Sequence, residues 1–175
     1  MMPTDLYRFL AQHSIAYERV DHAPVFTCEQ AEELVPSLPG AHTKNLFVRD
    51  KKGRRHFLVV VGHDKTVDLK ALSSRLGVSN LSFASSERLE RHLGIQPGAV
   101  SLLAIVNDVA GAVEVVLDAD LSTEPILQCH PLVNTSTLAI HRSGIEQLLE
   151  LTGHHPTVVP VPEIKTQDGE GRHDA

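Results

Sequence analysis

The chain has 175 residues, 42% hydrophobic and 22% charged, a balance that suits one globular domain with a real core and leaves no room for two full ones. Aromatics make up 4%, tryptophan is absent and the formal charge is −6, which excludes ligand binding on rows of aromatic side chains and a uniformly basic nucleic-acid-binding surface. Two cysteines, Cys28 and Cys129, form neither a disulfide framework nor a C-x-x-C pair, and without a basic and apolar leader or a run near roughly 18 apolar residues the expectation is a cytoplasmic protein with no membrane partner.

In chain order, Thr4 caps a predicted helix carrying Leu6, Phe9 and Leu10, and Ile15 to Val20 reads as a strand. Thr27-Cys28-Glu29-Gln30 has the form of a capping box, opening a helix that Pro36 stops. Lys44 to Arg49 and Arg55 to Val61 are strand-like runs around Asp50-Lys51-Lys52-Gly53-Arg54, a hairpin signal. Asp68 caps a helix over Leu69, Leu72 and Leu76 with Gly77 beyond its end. Leu81 to Ala84 is a short strand, and Ser85 or Ser86 caps a helix over Leu89 and Leu93 that Gly94 ends. Val100 to Val106 and Val113 to Leu117 look like a second hairpin, turning between Asn107 and Gly111. Ile126 to His130 and Thr137 to His141 are further strands, Ser143-Gly144-Ile145-Glu146 is a second capping box, and Thr157 to Val161 is the last strand. Residues 1–162 then form one α/β (α+β) domain, with a mixed, largely antiparallel sheet flanked by helices. Residues 163–175 are polar and predicted to be disordered.

The charge is unevenly spread. Lys44 to Arg75 holds nine cations and three anions, so that segment carries +6 and the remainder −12. Arg49, Lys51, Lys52, Arg54 and Arg55 crowd round Gly53, a pattern compatible with a solvated hairpin tip and with a phosphate-binding patch. Dinucleotide-binding, P-loop and G-x-S-x-G signatures are absent from the sequence. The eleven histidines show no H-E-x-x-H or H-x-H spacing, so no metal and no cofactor is expected. Cys28 at a helix start is a candidate nucleophile or core filler.

Lys44 begins a strand just after Pro39-Gly40-Ala41-His42-Thr43, a position suited to an anion or a polarised carbonyl. Gln96-Pro97-Gly98-Ala99-Val100-Ser101 is a second glycine loop whose N–H groups are candidates to hold an oxyanion. Pro131 biases His130 toward an extended strand exit.

The string from Gly40 to Arg54, followed by Asp68-Leu69-Lys70-Ala71-Leu72, Leu81-Ser82-Phe83-Ala84, Pro97-Gly98-Ala99-Val100-Ser101, Val106-Asn107-Asp108 and His130-Pro131-Leu132-Val133-Asn134-Thr135, resembles the YbaK/ProX-type aminoacyl-tRNA editing proteins from about Leu6 to Val161. That resemblance implies a twisted, partly barrel-like sheet and a trans-editing aminoacyl-tRNA deacylase that removes alanine from mischarged tRNA(Pro). It implies Lys44 and Gly98 as catalytic and Asn45, Ala99, Val100, Ser101 and His130 as substrate-binding. Arg49, Lys51, Lys52 and Arg54 are expected to meet acceptor-stem phosphates. The expected partners are tRNA and prolyl-tRNA synthetase, with no DNA. A deacylase for Cys-tRNA(Pro) or for Ser or Thr species, and a non-catalytic tRNA- or synthetase-binding module, are the alternative readings. One departure concerns the glycine loop, where Leu102 and Ala104 stand in place of the family's usual proline and glycine.

Overall fold

A computed structural model describes residues 3–24 and 37–164. The predicted helix at 27–35, Cys28 and most of the predicted tail lie outside them. In chain order the elements are α1 (Pro3–Gln12), β1 (Tyr17–Asp21), β2 (Ala41–Arg49), β3 (His56–Gly62), α2 (Leu69–Leu76), β4 (Ser82–Phe83), α3 (Ser86–Leu93), β5 (Val113–Asp118), β6 (Ile126–Cys129), β7 (Ser136–His141), α4 (Arg142–Leu151) and β8 (Thr157–Val159). Two 3-10 helices, Leu102–Asn107 and Ala119–Leu121, complete the set.

Local chemistry accounts for most boundaries. The Asp68 side chain accepts the Ala71 N–H at the start of α2, and Ser85 does the same for Arg88 at α3. Gly77 and Gly94 close those helices in the left-handed conformation. Two expectations are overturned. The predicted strand Val100 to Val106 is instead a 3-10 helix, so no hairpin joins it to β5, which pairs parallel with β3 and β8. Leu102 to Val106 are all buried, and a continuous apolar run carries no alternation to separate a strand from a buried helix. Ser143 is not a cap, because β7 runs directly into α4 and His141 holds the cap position without a side-chain hydrogen bond.

The sheet order is β1-β7-β6-β2-β3-β5-β8, with β4 on β2. Among the described strands, β1–β7, β6–β7, β2–β3 and β2–β4 pair antiparallel, and β2–β6, β3–β5 and β5–β8 pair parallel. The sheet is mixed and open, with β1 and β8 at its ends, rather than a closed barrel.

Strand alternation divides the core in two. Phe47, Leu58, Val60, Val115, Leu127, Cys129, Leu138 and Ile140 face one side, under α1, α3, α4 and the Leu102–Asn107 helix. Val48, Val59, Val61 and Val116 face the other, under Leu72 of α2 and Val161. On this second face the packed apolar part covers β3, β5 and the end of β2; alternation places His42, Lys44, Gln128, His130 and Thr137 on its remaining half.

Gly40 enters β2 with φ +103°, and a Cβ there would lie 2.6 Å from Ile126 Cγ2 and 2.8 Å from Ile126 O. Backbone at that φ is strained for any L side chain. Gly40→Ala is expected to cost about 2 kcal/mol and to lower Tm by roughly 4–8 °C in a thermal melt.

Candidate functional site

The site begins where β2 and β6 part. Their parallel ladder is short, Ala41 opposite Leu127 and His42 opposite Gln128. One step further the Thr43 hydroxyl donates to the Gln128 carbonyl and lies against the Cys129 thiol. Carrying the register another step sets Lys44 level with His130, both on the face opposite Cys129. The outer edge of β2 then has no strand partner among the described residues until Val48 and Arg49 meet β4.

His130 is half-buried, and burial lowers its pKa. Its Nδ1 lies 3.0 Å from the Ser136 carbonyl; a carbonyl only accepts, so Nδ1 carries the proton and Nε2 keeps its lone pair. The His22 ring lies 6.3 Å from that of His130 and its Nε2 is 2.8 Å from the Thr137 hydroxyl. His22 escaped the sequence analysis because only the β1–β7 pairing, Asp21 opposite Ser136, brings it here. The Gln128 amide donates to Leu38 O at 2.9 Å and holds the chain leading into Gly40 across the same face.

The Lys44 ammonium makes no hydrogen bond or ion pair among the described residues, its backbone being paired with β3 opposite Val61. Beside it, Asn45 Oδ1 is buried without a hydrogen-bond partner among those residues, on the opposite, Phe47 face. The glycine loop approaches that face. Ala99 N–H donates to Gln96 O at 3.1 Å across Pro97-Gly98, and Gly98 adopts φ +92°, the turn that needs a glycine in its third position. The Ala99 N–H is thereby committed, whereas it had been expected to face substrate. Val100 packs against the first core, and Ser101, fully buried, caps the 3-10 helix through Leu103 N–H and Ala104 N–H. Leu102 and Ala104 are buried in that helix. The register therefore joins Lys44 with His130 on one face of the sheet, while Asn45 and the core cluster that Val100 packs against belong to the other.

The basic residues divide by role. Arg55 is bound bidentately to Glu114 at 2.7 and 2.9 Å, and Arg49 donates to the carbonyls of Asp50 and Lys51. Lys65 is held by Asp118 at 2.6 Å and Asp120 at 3.1 Å. Lys51, Lys52 and Arg54 project from the turn. Their backbone is tied down by Asp50, whose carboxylate accepts the Arg54 and Arg55 N–H groups, and by Lys51 N–H donating to Ser79 O. A cleft of about 350 Å³ beside His42 is lined by Asp64, Asp118, Asp120 and Glu124; its acidic wall repels phosphate. No group of three or more metal-ligating side chains occurs among the described residues, and burial pushes the Cys129 thiol up to about 12, out of the nucleophilic range. No helix among them is long and apolar enough to cross a membrane.

Residues 22–148 match the family model for the aminoacyl-tRNA editing domain. The chain belongs to that family. The chain is 37% identical over 145 residues to the prolyl-tRNA editing protein ProX of Acetoanaerobium sticklandii, covering 83% of this chain and 88% of that one. It is 38% identical over 157 residues to the prolyl-tRNA synthetase associated domain-containing protein 1 of Danio rerio, covering 89% and 85%. A solved structure described as a candidate trans-editing enzyme for prolyl-tRNA synthetase shares the fold at TM-score 0.65 and 20% identity, covering 93% and 98%.

Below the editing domain's hairpin tip, His56 is 4% exposed and stacks on Phe47 and His92, and Arg88 Nη1 donates to its Nε2 at 2.9 Å and to Gly53 O at 3.1 Å. Burial foremost, then the charges of His92 and Arg88, lowers the His56 pKa to about 4. Its unfolded value is near 6.5, so the unfolded chain takes up a proton that the folded one refuses, and stability falls as pH drops from about 6.5 toward 4. Thermal melts over that range are expected to show the decline, with a shallower slope in His56→Gln.

Proposed function

We propose that this editing domain hydrolyses the ester of mischarged tRNA in trans, with Ala-tRNA(Pro) as its substrate. The observation that carries the proposal is Lys44, a cation without a partner among the described residues, set level with a neutral His130 where β2 and β6 diverge. The names of the prolyl-tRNA editing relatives support the substrate class.

The bond to be cut is an activated ester, so positioning a water and stabilising the tetrahedral oxyanion suffice, without a nucleophilic side chain or a metal. The ester lies at the open edge of β2. From one side Lys44 anchors the terminal phosphate or the ester oxygen, as a point charge rather than a base. His130 Nε2 accepts a hydrogen bond from the terminal ribose or the water. From the other side, the N–H groups of Gly98 and Val100 face the developing oxyanion, with the buried Ser101 holding the loop from behind, and Asn45 Oδ1 takes a donor from the substrate, ending its desolvated isolation. The ribose 2′-hydroxyl helps to orient the water. Lys51, Lys52 and Arg54 hold acceptor-stem phosphates about 17 Å or more along the hairpin, five or more residues at a strand's rise.

The need for such an enzyme follows from size. A site built for proline rejects alanine by only about 1–3 kcal/mol per missing methylene, so a second, smaller pocket must correct the error.

Purified protein given a panel of charged tRNAs is expected to deacylate Ala-tRNA(Pro) faster than Cys-tRNA(Pro), Ser or Thr species. Binding without turnover on every member would overturn the enzymatic reading. Lys44→Ala is expected to abolish turnover while leaving the melting temperature unchanged. The double variant Lys51→Ala, Lys52→Ala is expected to lower the slope of log affinity against log salt by about 2 in magnitude, with kcat retained.

A further inference from the structure

Phe83 is 63% exposed, more than any other aromatic side chain among the exposed large apolar residues described, in a chain with few aromatic residues. It stands on a two-residue strand, opposite Val48, with its neighbour Ser82 opposite Arg49. Antiparallel partners share a face, so Phe83 lies on the face of Val48, Leu46 and Lys44. The chain leading into β4 is fastened to the basic tip, where Lys51 N–H donates to Ser79 O. An exposed ring is thus fixed between two features of opposite use, the cationic turn carrying Lys51, Lys52 and Arg54 and the open β2 edge carrying Lys44.

We propose that Phe83 is a stacking platform for an unpaired base of the tRNA 3′ end. The inference rests on the reading of the protein as a tRNA deacylase and adds a binding residue to it. Two observations select the occupant. Along β2 the ring stands between the cationic turn and Lys44, which favours a polyanion, and an exposed aromatic face on a path lined by cations holds single-stranded nucleic acid irrespective of sequence. The spacing agrees: Val48 lies about 13 Å from Lys44 along β2, which spans about four stacked nucleotides at 3.4 Å each. A strand whose duplex is held at the tip and whose last ribose lies at Lys44 passes over Phe83.

The absence of tryptophan makes the test direct. Phe83→Trp introduces a single indole emission at the proposed platform. It is titrated at matched salt with two uncharged RNA hairpins of one acceptor stem, one bearing the unpaired 3′ end and one ending blunt. Quenching by the first and not by the second is expected. In steady-state deacylation of charged tRNA, Phe83→Ala is expected to raise KM about tenfold with kcat little changed, and Phe83→Tyr to restore it. Equal quenching by both hairpins, no quenching by either, or an unaltered KM in Phe83→Ala overturns the proposal, as does quenching by a second protein and not by RNA. If no charged tRNA is hydrolysed by the unaltered protein yet the unpaired end still quenches selectively, the catalytic reading fails and the platform stands. Since the ring is mostly exposed, melting curves of the three variants are expected to match the parent.

Discussion

Backbone hydrogen bonding along β2 governs how the two halves of the molecule meet. Its inner edge is satisfied by β3 over seven residues, from Thr43 to Arg49. Its outer edge serves two masters, β6 at the start and β4 at the end. Those two strands cannot be continuous with one another, since one runs parallel to β2 and the other antiparallel. The sheet must open between them, and the opening is where Lys44, Asn45 and the exit of β6 at His130 are found. At its start, Gly40 lets the chain enter β2 against Ile126 in a conformation reserved for glycine.

The same strand organises the charge. A protein with net charge −6 can hold a polyanion if its cations are gathered and its acids are either neutralised or kept elsewhere. Arg55 and Lys65 do the neutralising, through Glu114, Asp118 and Asp120, while Arg49 is bound to backbone carbonyls of the turn. Asp50, in the midst of the basic turn, is turned inward to accept backbone N–H groups, which hold its carboxyl below the usual range. Arg88 joins the turn at Gly53 to the buried His56, so the tip is braced by α3 rather than hanging from two strand ends. The acids Asp64, Asp120 and Glu124 gather by the cleft next to His42. Under the proposed function, this segregation gives one end of β2 to phosphate and the other to the aminoacyl ester.

Other buried polar groups serve the fold. His154 meets Asp108 at 2.9 Å while that carboxylate accepts the Ala112 and Val113 N–H groups, tying the end of the Leu102–Asn107 helix to the start of β5 and to the chain after α4. Gly144 sits where a Cβ would press on Ile15 and Ile140 at 3.0 and 3.1 Å, which lets α4 lie close against the sheet. These contacts position the scaffold around the opening in β2.

Local signals sufficed for α2, α3 and the β2–β3 hairpin, because caps, left-handed glycines and turn residues act within a few positions of the chain. The candidate site was legible to the extent that Gly98 and His130 sit at loop and strand boundaries and that Lys44 belongs to a family pattern; β2 starts at Ala41, so Lys44 lies inside the strand rather than at its start. Leu102 to Val106 was not legible, since a run buried on every side has no period, and neither was the start of α4, since β7 leaves no loop in which Ser143 could cap. His22 and Phe83 had no signal of their own. By itself the sequence determined which segments turn, cap and alternate, and that cations concentrate between Lys44 and Arg75. Only the tertiary structure decided that β2 and β6 run parallel for two residues and then part. That outcome depends on pairing between segments far apart in the chain, where register is set by the faces each strand must bury.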